Sequence, residues 1–156
     1  MATFLGSYEN KVDAKGRVSV PSRFRIAITG QDYQGIVVAP SFEYEAIDAC
    51  DHDRIVQVAE AIDDPGLYSD EQRLQAESIL SRSLELPFDE NGRVQLPKNF
   101  LAHAGIDGRA LFVGIGPTFQ IWHPERRADH LSKTDDRARP GGASLRLLPR
   151  ARGPSA

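Results

Sequence analysis

One segment of this chain is written twice, and that repeat constrains the fold more than any other feature. Residues 13–24 read DAKGRVSVPSRF, and residues 89–100 read DENGRVQLPKNF. Asp, Gly, Arg, Val, an aliphatic residue, Pro and Phe recur at the same spacing, 76 positions apart. Downstream, VAPSF at 38–42 answers IGPTF at 115–119, 77 positions apart. The pattern implies two copies of one small unit. A unit of this size buries too little surface alone, so the two are expected to close on each other as an intrachain pseudo-dimer.

Each copy has a local physical reading. Asp-x-x-Gly is the signature of a type I turn, with Asp at its first position and Gly at its fourth. Asp13 and Gly16, and likewise Asp89 and Gly92, are therefore turn residues. A turn of this type followed by a left-handed glycine closes a bulged hairpin. The arms are expected at 4–12 and 17–20 in the first copy, and at 83–88 and 93–96 in the second. Alternation puts Tyr8, Val12, Val18 and Val20 on one face, matched by Leu84, Leu86, Phe88, Val94 and Leu96. The opposite faces carry Lys11, Arg17 and Ser19, and Arg93 and Gln95, and are free to bind.

Pro21 and Pro97 suit the first position of a short helix, and Gly30 and Gly105 sit where its C-terminal caps belong. Buried strands are expected at 35–39 and 110–115, with a fourth strand in each unit after Pro-Ser/Thr-Phe. Residues 43–64 and 70–82 read as helices, with a capping box at Ser69 and Gln72. Another helix is expected to start near Trp122. Residues 135–156 hold three Pro, three Gly and five Arg without an aromatic residue, the composition of a disordered basic tail.

Charge limits the partners only when it is resolved by segment. The formal total is −3, which by itself argues against nucleic acid. Residues 9–25, however, carry five basic against two acidic side chains, a net +3. Residues 43–71 carry ten acidic side chains against Arg54 alone, a net −9. Residues 124–156 hold eight basic against four acidic, a net +4. Screening acts over about 8 Å at physiological salt, so a local basic patch works on an acidic body. No apolar run approaches the roughly 18 residues of a membrane span, and MATFLGSYENK has no signal-peptide pattern. The lone Cys50 fits a reducing cytoplasm.

The arrangement resembles the MraZ family of bacterial transcriptional regulators, built from two SpoVT-AbrB-type modules. The resemblance runs from Phe4 to about Arg127. It rests on FLGSYENKVDAKGR, on the duplicated Asp-x-x-x-Arg signature (Asp13/Arg17 and Asp89/Arg93), and on the closing FVGIGPTFQIW. It implies an α+β, mainly β fold of tandem swapped-hairpin-like barrels with added helices. The modules would span 7–54 and 83–126, joined by a helical linker at 55–82 and followed by a basic tail at 130–156. It further implies ring-shaped self-assembly and a cytoplasmic, nucleoid-associated place. The implied partner is double-stranded DNA, bound at direct repeats upstream of the protein's own division and cell-wall operon, with no cofactor and no membrane. Two departures stand out: Lys15 is matched by Asn91, and Lys11 by Pro87. Residues 85–101 accordingly carry Arg93 and Lys98 against Glu85, Asp89 and Glu90, a net −1.

On this reading Lys11, Lys15 and Arg17 contact DNA, Arg93 is an auxiliary contact, and Arg23 and Arg25 are phosphate partners. Arg reads guanine edges bidentately, whereas Lys mostly meets phosphate. The competing role for Arg17 and Arg93 is a structural pair with Asp13 and Asp89, and both roles are compatible. Two other classes compete. Asp13 and Asp89 could form a proton-sharing enzyme dyad, or the chain could be an antitoxin-like protein-interaction module. His52, His103, His123 and His130 show no metal-ligand spacing, so no metal is expected. Gly114-Ile-Gly116 reads as a strand end, and Phe24, Phe100, Phe112, Phe119 and Trp122 read as core.

Overall fold

The computed structural model describes residues 2–138 and 145–150. Among the described residues, eight strands and five helices run in the order β1 (Ser7–Lys11), β2 (Arg17–Ser19), α1 (Ser22–Ala27), β3 (Gly35–Pro40), β4 (Ile47–Cys50), α2 (His52–Ile62), α3 (Asp70–Arg82), β5 (Leu84–Pro87), β6 (Arg93–Gln95), α4 (Lys98–Ala104), β7 (Arg109–Gly114), β8 (Phe119–Trp122) and α5 (Pro124–Ala138). The fold is α+β and mainly sheet. Six strands form one antiparallel sheet in the order β1-β7-β8-β4-β3-β5, and β2 and β6 form a separate two-stranded ribbon.

That order reads the same from both ends once the repeat is applied, because β1 corresponds to β5, β7 to β3 and β8 to β4. The two halves meet at the β4–β8 pair, where Ile47 faces Ile121. The expected hairpins are corrected here. Each turn forms, but its arms separate and pair with the other half: β1 with β7, β5 with β3, and β2 with β6. A Val12–Val18 bridge and a hydrogen bond from Asn10 Nδ2 to the Ser19 carbonyl at 2.8 Å link the arms of the first copy. Two-stranded hairpins are marginal in water, and pairing across the halves lets each cover the apolar face of the other.

The core confirms most of the alternation. Val12, Val18, Val20, Leu86, Val94 and Leu96 are buried in one cluster with Phe4, Phe24, Phe100, Phe112 and Phe119. Trp122 is buried as well. Phe24 meets the rings of Phe4 and Phe119 at centroid distances of 5.3 and 4.9 Å. Each such buried aromatic stabilises the fold by about 1.5–3 kcal/mol. Tyr8 and Leu84, expected in the core, are exposed, because β1 and β5 are the outermost strands of the sheet. Tyr8 still meets Phe24 edge-on at 5.6 Å.

Three further readings shift. Residues 43–64 are not one helix: Ile47–Cys50 form β4, whose Ala49 is buried in the core, and α2 begins only at His52. Pro21 and Pro97 are the N-caps of α1 and α4, one position earlier than expected. Gly105 is the C-cap of α4, whereas α1 is capped by Ile28, two residues before Gly30. The capping box forms as read, with Ser69 Oγ accepting from the Gln72 N–H at 3.1 Å and Gln72 Oε1 accepting from the Ser69 N–H at 2.9 Å. Residues 130–138 of the expected tail are helical, since α5 continues to Ala138. His130 holds that helix down, its ring 5.2 Å from Trp122 and 5.0 Å from Tyr44. Residues 145–150 form no regular element, and the rest of the expected tail lies outside the described residues.

Candidate nucleic-acid interface

Both signature turns have the same internal wiring. Asp13 Oδ1 accepts the backbone N–H groups of Lys15 and Arg17, each at 2.9 Å, and Oδ2 accepts Arg17 Nε at 2.7 Å. Asp89 Oδ1 accepts from Asn91 at 2.8 Å and from Arg93 at 2.9 Å, and Oδ2 accepts Arg93 Nε at 2.8 Å. The Asp thus builds the turn and aims the Arg in one stroke. Of the five guanidinium N–H donors, this bond uses one and leaves the forked end for another acceptor. The backbone N–H of the signature arginine, above all, holds each carboxyl below the usual aspartate range.

The ribbon then brings the two turns together. In its register Arg17 faces Gln95, Val18 faces Val94, and Ser19 faces Arg93. Val18 and Val94 point into the core, so Arg17, Ser19, Arg93 and Gln95 occupy the outer face. An open groove of about 500 Å³ runs beside it and gathers Lys15, Arg17, Arg93 and Lys98 with Asp89 as its one carboxylate. Four cations and one anion on a shallow surface favour an extended polyanion over a small enclosed ligand.

The remaining sequence candidates are placed differently. Lys11 is exposed at the end of β1, opposite Arg109 in the six-stranded sheet, and does not line the groove. Arg23 is exposed on α1. Arg25 supports the second turn: its Nε donates to the Val20 carbonyl at 3.1 Å, and its guanidinium lies against Gly92. In the first turn the equivalent support comes from Leu101, 76 positions later, which lies against Gly16. Lys98 and Gln95 line the groove without having been singled out as site residues. The signal for Gln95 was present, since it alternates with Arg93 on one strand face. Lys98 reaches the groove through the placement of α4, which alternation does not encode.

Other chemistry finds no support in the geometry. An acid dyad raises the pKa of one carboxyl because two like charges share a proton; Asp13 and Asp89 are both lowered, each by its own arginine turn. Among the described residues no cluster of three or more His, Cys, Asp or Glu is placed to hold a metal ion, and no helix is long and apolar enough to cross a membrane. His52 instead pairs with Glu85 at 3.2 Å. Cys50 is buried, and burial pushes its thiol up to about 12.

Comparison with known proteins decides the family. The family model for the MraZ protein matches residues 79–139. A transcriptional regulator MraZ of Pelagibacter ubique is 46% identical over 121 residues, covering 78% of each chain. The chain belongs to the MraZ family. The MraZ relative from Rhodospirillum rubrum is 48% identical over 132 residues, covering 80% of this chain and 81% of its own. That from Beijerinckia indica is 37% identical over 139 residues, covering 89% and 85%. MraZ proteins are transcriptional regulators and not enzymes, in keeping with two turns built to present arginine rather than to share a proton.

Proposed function

We propose that this chain is a sequence-specific DNA-binding regulator acting at direct repeats upstream of its own division and cell-wall operon. One observation carries the reading: two arginines, each aimed by its own aspartate, stand on the same exposed face of a two-stranded ribbon. A ribbon of this width enters the major groove, where arginine pairs with guanine O6 and N7. Arg17 is the principal base contact and Arg93 the auxiliary one. Lys15, Lys11 and Arg23 meet flanking phosphates, and Arg25 acts by holding the second turn. The strand exchange between the halves supports an intrachain pseudo-dimer of two SpoVT-AbrB-type modules, with boundaries near 7–54 and 83–126. One such patch binds modestly, and a ring of subunits facing spaced repeats converts it into avidity. The protein would then work in the cytoplasm on the nucleoid.

The test is footprinting of the upstream region with wild type and Arg17→Ala at moderate salt. Protection should be lost in the variant, and wild-type binding should fall steeply with rising salt as counterions are released. Unchanged protection sinks the proposal. A second reading, an antitoxin-like interaction module, is favoured by the description of the family model, which includes the words antitoxin-like. Retention of a specific protein from nuclease-treated extract by Arg17→Ala, with no footprint by wild type, would favour it instead.

A further inference from the structure

The ribbon is built from a repeat, yet its outer face is not symmetric. The offset of 76 positions relates Arg17 to Arg93 and Ser19 to Gln95. An ideal repeat would present the same pair at both ends and read DNA equally in either orientation. Here one end presents Arg17 beside Gln95, and the other presents Arg93 beside Ser19. Charge follows the same direction, because Lys15 marks the Gln95 end while Asn91 replaces it at the other.

Gln95 is also held in place. Its Nε2 donates to the Lys15 carbonyl at 3.0 Å, across 80 residues of chain, which pins the amide beside the first signature turn. That bond uses one of two amide N–H groups. The second N–H and the carbonyl oxygen form the donor–acceptor pair that matches N7 and the N6 amino group of adenine. Ser19, with a single short hydroxyl, offers no such bidentate match.

We propose that Gln95 is a specificity-determining residue: it reads an adenine next to the base pair met by Arg17 and gives the ribbon one orientation on DNA. The inference rests on the DNA-binding reading above and extends it.

Selection from a pool of random duplexes at fixed moderate salt tests this with the full chain, comparing wild type, Gln95→Ser, Gln95→Ala and Ser19→Gln. Wild type should enrich an asymmetric unit. Gln95→Ser and Gln95→Ala should lose the preference at one position by roughly tenfold or more and keep the others. Their salt slope should match wild type, since no charge is removed. Ser19→Gln should add a preferred adenine on the opposite side. A Gln95→Ser profile within about twofold of wild type at every position overturns the inference. So does a uniform loss of affinity across all sequences, which would make Gln95 only a support of the Lys15 turn. A wild type with no sequence preference is a different result, because it removes the DNA-binding reading itself.

Discussion

Substituting the two signature glycines should separate the two copies of the repeat by their cost. Gly16 and Gly92 both sit in the left-handed region, at φ +82° and +73°. Placing alanine there costs about 1–2 kcal/mol in either turn. The surroundings differ. A Cβ on Gly16 would lie 2.6 Å from the Leu96 carbonyl oxygen, a backbone atom of the adjoining strand end that cannot swing aside. Relief requires the first turn to move away from it and loosens the Leu96 N–H bond to the Gly16 carbonyl, now 2.9 Å, worth about 1 kcal/mol. A Cβ on Gly92 would instead meet the Arg25 guanidinium at 2.7 Å, the far end of a flexible side chain. We therefore expect Gly92→Ala to cost about 1–2 kcal/mol and Gly16→Ala about 2–3 kcal/mol. At roughly 2–4 °C per kcal/mol for a chain of this length, Tm should fall by about 4 °C and about 8 °C. Thermal and urea denaturation followed by circular dichroism measure both, at equal protein concentration because self-association shifts Tm. In an Arg25→Ala background, Gly92→Ala should cost only its backbone strain. Equal costs for the two glycines, or the reverse order, would refute the reasoning.

Phe24→Ala should destabilise by about 3–5 kcal/mol in the same assay, because it empties the centre of the Phe4, Phe112 and Phe119 cluster; a loss under 1 kcal/mol would show that the halves are not sealed by this ring. Cys50 should react with alkylating reagents about a thousandfold more slowly than a free thiol at pH 8, since its thiol is pushed up to about 12 and only the thiolate attacks; mass spectrometry of the folded chain reads this. Asp13 and Asp89 titrate below their unfolded value, so their contribution is present above about pH 3.9 and lost as pH falls through the lowered folded value. Asp48 and Asp51, raised chiefly by burial, run the other way. Asp13→Asn and Asp89→Asn keep the acceptor oxygen and should make the urea midpoint less sensitive to acid below pH 4 than in wild type, and an unchanged pH profile would count against the wiring.

Local physics was legible wherever a residue type leaves few options. Asp followed three positions later by Gly and then Arg specifies the turn, its internal hydrogen bonds and the aimed arginine without help from the rest of the chain. Alternation found Val18, Val94, Leu86 and Leu96, because a strand face either packs or is wet. The same logic missed Tyr8 and Leu84, whose side chains alternate inward on strands that lie at the sheet edges. It also read through Ile47–Cys50, a strand too short to announce its period beside a helix.

The amino-acid sequence alone determined that there are two units and that each turns at Asp13 or Asp89. These follow from identity at fixed spacing and from backbone sterics, both local properties. Only the tertiary structure decided which strands pair. Each arm had an equally plausible neighbour within its own copy, and the exchange between halves wins because it covers apolar surface that neither unit can cover alone. That choice places Arg17 opposite Gln95 rather than beside its own arm, and so converts a repeated motif into a surface with a direction.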